Sequence, residues 1–199
     1  NIAPTQPILV VRRPIGSDRR EAALVRWGLI PRWATDPRLG NRMINARSET
    51  VDSKPAFRQA FRKRRCLVVT DGYYEWQATG GPKQPYYFHR ADHRPFAFAG
   101  LWEAWSGGPA GGDSVESATI ITTTANELSR KIHDRMPVIL PQANYDTWLD
   151  CDQEDLPAVQ ALLGPVAEDF LVADPVSTQV NKPSHDSPTC IEPLRTGGA

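Results

Sequence analysis

Apolar positions in this chain come in short, frequently punctuated runs. Residues 8–11 are a β-branched run and residues 23–29 a second apolar run that closes near Gly28; both are bounded by turn formers and read as strands. Over residues 53–64 the period changes. Ala56, Phe57, Ala60 and Phe61 recur at helical spacing behind Pro55, which predicts a short amphipathic helix. Residues 66–70 are a compact apolar run ended by Asp71 and Gly72, and residues 86–89 and 96–105 resume the strand signal. The glycines and proline of residues 79–85 predict a hairpin-like turn, and the Gly-rich residues 106–113 a loop. Residues 117–124, dense in Thr and Ile, read as a strand, followed by a short helix through Arg130 that Asn126 caps. Residues 136–140 read as one more short strand, residues 144–149 and 154–163 as helices, and residues 184–199, rich in Ser, Pro, Gly and Thr, as an irregular tail.

Composition narrows the class. With 14 Gly and 18 Pro in 199 residues the chain is too interrupted for a bundle of long helices, and no regular strand–helix alternation points to a doubly wound sheet. Mixed α+β remains. Lys plus Arg and Asp plus Glu both total 23, so any site for a polyanion must be a local patch. No apolar run approaches the roughly 20 residues that span a bilayer, and Cys66, Cys151 and Cys190 are too far apart for a zinc-like spacing. A soluble, cytoplasmic protein in a reducing compartment, without metal or cofactor, is the expectation.

Three clusters could carry chemistry. Trp27 to Trp33 interleaves aromatic and cationic groups, with Arg32 beside Trp33, and is followed by Asn45 and Arg47. Indole rings stack on unpaired bases and Arg pairs with phosphate oxygens, although core aromatics with surface arginines give the same pattern. Asn45 and Arg47 are two positions apart and share a face if the segment is extended, so that they orient one ligand or serve a turn. Glu75 lies among aromatics in residues 71–76; partial burial there raises a carboxyl pKa towards neutrality and suits proton transfer, whereas an arginine-paired surface Glu is the bland alternative. His133 and Arg135 combine a neutral-pH proton carrier with a phosphate-binding cation, or else a structural hydrogen-bonded histidine with its neighbour.

Taken together, the strings at residues 1–6, 27–33, 44–50, 71–76 and 133–137 resemble the SOS response-associated peptidase family, whose members process abasic sites in DNA. The resemblance implies a single mixed domain over residues 1–183, built around a curved, barrel-like antiparallel β-sheet with short peripheral helices. It implies single-stranded DNA containing abasic sites as partner, no obligate protein partner, and a monomer. Asn45 is then expected to orient a reacting amino terminus, Glu75 to move protons, and His133 to assist sugar ring opening and crosslink reversal. Arg47 and Arg135 are expected to bind flanking phosphates, and Pro4, Trp27 and Trp33 to shape the DNA channel. The family's nucleophile is a cysteine exposed as the first residue. Asn1 matches a segment a few dozen residues later, so the expectation is that this nucleophile lies ahead of the sequence, and none of the three cysteines replaces it. A noncovalent single-stranded DNA-binding module and a cysteine-dependent peptidase are the alternative readings.

Overall fold

The computed structural model describes residues 1–14, 16–107, 113–152 and 155–194. Its strands are β1 (Pro7–Arg12), β2 (Glu21–Trp27), β3 (Asn45–Arg47), β4 (Arg65–Thr70), β5 (Gly72–Gln77), β6 (Gln84–His89), β7 (Phe96–Trp105), β8 (Val115–Thr124), β9 (Arg135–Pro137) and β10 (Val172–Pro175). The α-helices are α1 (Arg58–Lys63), α2 (Glu127–Arg130), α3 (Tyr145–Leu149) and α4 (Leu156–Ala161). Strands β2, β1, β4, β7 and β8 pair in that order, and β8 returns to β2, so the sheet closes into a five-stranded barrel. Closure removes the edges at which a sheet would pair with other chains. The closing pair is parallel, with Arg26 opposite Ser117 and Trp27 opposite Ala118. The barrel is therefore mixed, which corrects the antiparallel sheet implied by the resemblance; strands that meet across a long connection need not run in opposite senses. A second sheet, in the order β10–β6–β5, packs beside it.

Alternation along the barrel strands builds two cores. Ile8, Val10, Val25, Val68, Phe98, Trp102, Ala118 and Ile120 form the cluster inside the barrel. The opposite positions, Leu67, Ala97, Ala99, Leu101 and Ile121, pack outside it against Phe57, Phe61, Trp148, Leu149 and Val159 of the helical layer. Strand β7 is consequently buried on both faces over nearly its whole length, which is why it reads as a continuous apolar run. Arg12 plugs one end of the barrel: its guanidinium lies 4.0 Å over the Trp102 ring and bonds Glu21 and Glu116. The functional candidates lie towards the other end.

Several elements differ from the sequence expectation. The helix expected over residues 53–64 is α-helical only at Arg58–Lys63, with the preceding residues in successive turns. Residues 72–77, not read as a strand, form β5, whose six residues are all half-buried and show no alternation in exposure. The strand expected over residues 136–140 is β9 at its start, followed by a single bridge from Ile139 to Phe98. Part of the expected loop at 106–113 and the start of the expected helix at 154 lie outside the described residues. Residues 184–194 follow an irregular path that is nevertheless anchored: Cys190 is buried, Pro193 bridges Val176, and Leu194 N–H bonds the Pro175 carbonyl at 2.8 Å.

One glycine controls the exit from β2. Gly28 has φ +124°, and a Cβ there would lie 2.6 Å from the Gly40 carbonyl oxygen, a backbone atom that cannot swing away. Gly28→Ala is expected to cost about 2–3 kcal/mol, from left-handed strain together with the clash. The midpoint of urea unfolding checks this; an unchanged midpoint would show that the Gly28–Gly40 approach relaxes freely.

Candidate nucleic-acid interface

Strand β8 organises the site. Along one of its edges β2 and then β3 pair in the same parallel sense, so that Trp27, Asn45 and Arg47 lie opposite Ala118, Ile120 and Thr122. Laterally paired residues share a face, and positions two apart along a strand do too. Trp27, Asn45 and Arg47 therefore form one row on the face that Ala118 and Ile120 turn into the barrel. Ala46 points the other way and is buried, while Asn45 and Arg47 are exposed. The Trp27 indole N–H bonds the Ile44 carbonyl at 3.0 Å, fixing its ring beneath Asn45. Pro4 joins the start of this row. It occupies a turn closed by Gln6 N–H to the Ala3 carbonyl, with Thr5 at φ 76°, and Thr5 N–H is tied to the Trp27 carbonyl.

On the other edge of β8, β9 places Arg135 opposite Thr124. The Arg135 fork is occupied: it grips Glu49 at 2.6 and 3.0 Å, and Nη2 also donates to the Thr122 carbonyl at 2.7 Å. That pairing holds the Glu49 carboxyl below the usual carboxylate range. Sequence reading passed over Glu49, although it stands in the matching string at residues 44–50. Arg47, by contrast, has no ion pair among the described residues and is exposed.

A third junction brings the Glu75 strand near the turn that leads into His133. On β5, Tyr73, Glu75 and Gln77 share a face. Gln77 Nε2 donates to the Lys131 carbonyl at 2.8 Å, which holds that face against the turn after α2. That turn follows from Asn126, whose side chain accepts from Ser129 N–H and caps α2. Burial raises the Glu75 carboxyl pKa, the nearby His133 opposes the rise, and Asp134 adds to it. His133 Nδ1 accepts the Arg135 backbone N–H at 3.0 Å. The same Nδ1 lies 3.3 Å from the Arg135 carbonyl and 3.3 Å from the Asp134 carboxylate, so the ring is held by its Nδ1 edge. The other face of β5 looks away: Trp76 bonds Asn181 at 2.7 Å and Tyr74 the Cys190 carbonyl at 3.4 Å.

The structure thus gathers Pro4, Trp27, Asn45 and Arg47 along one edge of β8, puts Arg135 on the other, and brings the Glu75 strand near His133, two residues from Arg135. Trp33 is not in this row. It is 60% exposed and lines a separate cleft with Pro31, Arg32, Pro55, Ala56, Gln59, Arg64 and Glu103. Cys66 and Cys190 are buried, and burial pushes the Cys66 thiol far above its ordinary range, so it does not ionise to a nucleophile. Among the described residues no three His, Cys, Asp or Glu side chains converge as a metal site, and no helix is long and apolar enough to cross a membrane.

Comparisons with known proteins point to one family. The family model for the SOS response associated peptidase (SRAP) matches residues 1–183. The chain is 44% identical over 193 residues to the abasic site processing protein YoqW of Bacillus subtilis, covering 96% of this chain and 84% of that protein. It is 34% identical over 218 residues to the abasic site processing protein HMCES of Gallus gallus, covering 96% of this chain and 64% of that one. A solved structure from Bacteroides thetaiotaomicron superimposes with a TM-score of 0.85 at 30% identity, covering 96% of this chain and 82% of the other.

Proposed function

The chain belongs to the SOS response associated peptidase family, and from that premise we propose that it recognises abasic sites in single-stranded DNA, acting in the cytoplasm or on the nucleoid as a monomer. Preceded by the amino-terminal cysteine of its family, it captures the lesion covalently. The observation that carries the reading is the row of Trp27, Asn45 and Arg47 along β8, together with Glu75, its carboxyl pKa raised by burial, on the strand that Gln77 ties to the turn leading into His133.

An abasic sugar in its open form exposes an aldehyde. An unprotonated α-amine adds to that carbon and water leaves, giving an imine; the thiol of the same cysteine then adds to the imine carbon, and its proton passes to nitrogen as a thiazolidine closes. Asn45 offers a neutral donor and acceptor to orient the amine. Glu75, with a raised carboxyl pKa, takes and returns the protons of these steps, and His133 gives a proton to the ring oxygen as the sugar opens. Self-processing, the hydrolysis of the peptide bond ahead of that cysteine to expose its amine, is a separate reaction that comes before these steps.

Arg47 and Arg135 hold the flanking phosphates in this reading, but not equally. The Arg135 fork already grips Glu49, whereas Arg47 is exposed and forms no ion pair among the described residues. Arg47→Ala is therefore expected to weaken binding of an abasic oligonucleotide more than Arg135→Ala does, and to reduce the slope of log K against log salt by about 0.7. Fluorescence anisotropy at several salt concentrations measures both; equal losses would overturn the unequal roles and give Arg135 as large a part as Arg47. The reading as a whole is tested by incubating the protein carrying its amino-terminal cysteine with an abasic single strand and seeking an adduct that survives denaturation. Salt-sensitive retention without an adduct would leave a noncovalent module.

A further inference from the structure

Beyond the row on β8, the largest concentration of unneutralised charge lies in α1 and the turns leading into it. Between Thr50 and Arg65 the sequence carries Lys54, Arg58, Arg62, Lys63, Arg64 and Arg65 against the single acid Asp52, within a chain whose net charge is 0. Two of these cations are spoken for by the interior: Arg64 pairs with buried Glu103 and Arg65 bonds backbone carbonyls. The others are exposed. Arg58 and Arg62 are one turn apart on α1, and Arg58 N–H bonds the Lys54 carbonyl at 2.9 Å across the turn ahead of it, so the three exposed side chains follow one another as a stripe. Phe57, Ala60 and Phe61 anchor the segment's inward face, which leaves the stripe fixed rather than floppy. Among the described residues none of Lys54, Arg58, Arg62 and Lys63 forms an ion pair. Like charges at this spacing repel and lower helix stability, and packing of the aromatic face is what holds them together.

The stripe is also continuous with the candidate site. Thr50 N–H bonds the Arg47 carbonyl at 3.1 Å and Lys54 N–H the Thr50 carbonyl at 2.9 Å, so two successive turns lead from Arg47 to Lys54. The cleft holding the exposed Trp33 is lined by Pro55, Ala56 and Gln59 of the same segment. A linear run of fixed cations that starts beside a phosphate-binding arginine matches a linear polyanion, and it carries no groups for reading bases. We propose that Lys54, Arg58 and Arg62 form a second contact surface for the DNA backbone, engaging the phosphates of the arm that leaves the lesion past Arg47. This rests on the proposed reading for the identity of the polymer but not on the abasic site itself.

The test compares wild type with Lys54→Gln/Arg58→Gln/Arg62→Gln, three exposed changes that leave the core untouched. Probes are single strands of about 6 and about 20 nucleotides, each with and without a central abasic site. Wild type is expected to bind the long strands at least tenfold more tightly than the short ones. The triple variant is expected to lose that gain, to bind the short abasic strand as wild type does, and to show a salt slope shallower by about 2 on the long strand, three contacts at about 0.7 each. A variant with unchanged slope and unchanged length gain overturns the proposal. Loss of the length gain on intact and abasic strands alike supports the stripe even if abasic strands show no preference, in which case the lesion reading fails by itself. A polyglutamate peptide that binds wild type but not the variant, with DNA binding equal in both, would assign the stripe to an acidic protein partner and overturn it.

Discussion

Glu75→Gln is expected to slow covalent capture of an abasic strand by about 10²–10⁴-fold, the usual range for losing a positioned acid–base group, while leaving the protein more stable at neutral pH than the wild type. The two effects share one cause. Burial on β5 raises the folded-state pKa of Glu75 above its ordinary value, so the ionised form is disfavoured by the fold. A carboxyl raised in this way contributes fully to stability below its unfolded pKa, about 4.3, and that contribution is lost as pH rises through the folded value. Glutamine mimics the protonated form at every pH and is spared the loss. Urea midpoints should therefore favour the variant at pH 8 and converge with the wild type at pH 4, and denaturing gels at pH 7 should show the missing adduct. A variant that is both inactive and less stable at pH 8 would mean that Glu75 is a structural anchor and not a proton carrier.

Arg65→Met is expected to destabilise the protein by about 3–5 kcal/mol. Arg65 has no exposed surface. Its Nε donates to the Trp148 carbonyl at 2.6 Å, Nη1 to the Phe61 carbonyl at 2.8 Å and the Arg62 carbonyl at 3.3 Å, and Nη2 to the Asp150 carbonyl. These carbonyls belong to the last turns of α1 and α3, which have no partners within their own helices. One guanidinium thus caps two short helices and satisfies both negative helix ends with a fixed positive charge. Desolvation lowers the Arg65 pKa, yet an arginine stays charged. Methionine fills similar volume and supplies no donor, so buried carbonyls are left bare at about 1–3 kcal/mol each. With domain stability usually 5–15 kcal/mol, the loss should appear as a marked fall in the urea midpoint. Arg65→Lys should recover only part of it, since one ammonium cannot span both helix ends. A midpoint within about 0.5 kcal/mol of wild type would mean that water replaces the guanidinium.

The stability and the chemistry of the chain are written in neighbouring residues but read differently. Arg65 opens an apolar run and is invisible as a core residue from sequence, because arginine is ordinarily exposed. Its burial follows from two helix ends converging on it. Glu49 was equally hidden: an acid beside Arg47 gives no sign that its partner is Arg135, 86 positions away. Trp33 was grouped with Trp27 by spacing alone. Gly28 and the Gly40 contact break the chain between them, so that one indole lies in the β8 row and the other lines the cleft against α1.

Strands with strict alternation or a continuous apolar run, such as β1, β4, β7 and β8, were legible because burial on one or both faces dictates their composition. The cap of Asn126 on α2 was legible for a comparable local reason, since one side chain meets one nearby N–H. Local rules also gave the separation of Asn45 and Arg47 and hence their common face. The closure of β2 onto β8, the strand character of β5 and the approach of the Glu75 strand to the turn before His133 depended on tertiary structure. Each is a lateral contact between segments far apart along the chain, and neither side-chain period nor local propensity encodes which distant strand comes to lie alongside.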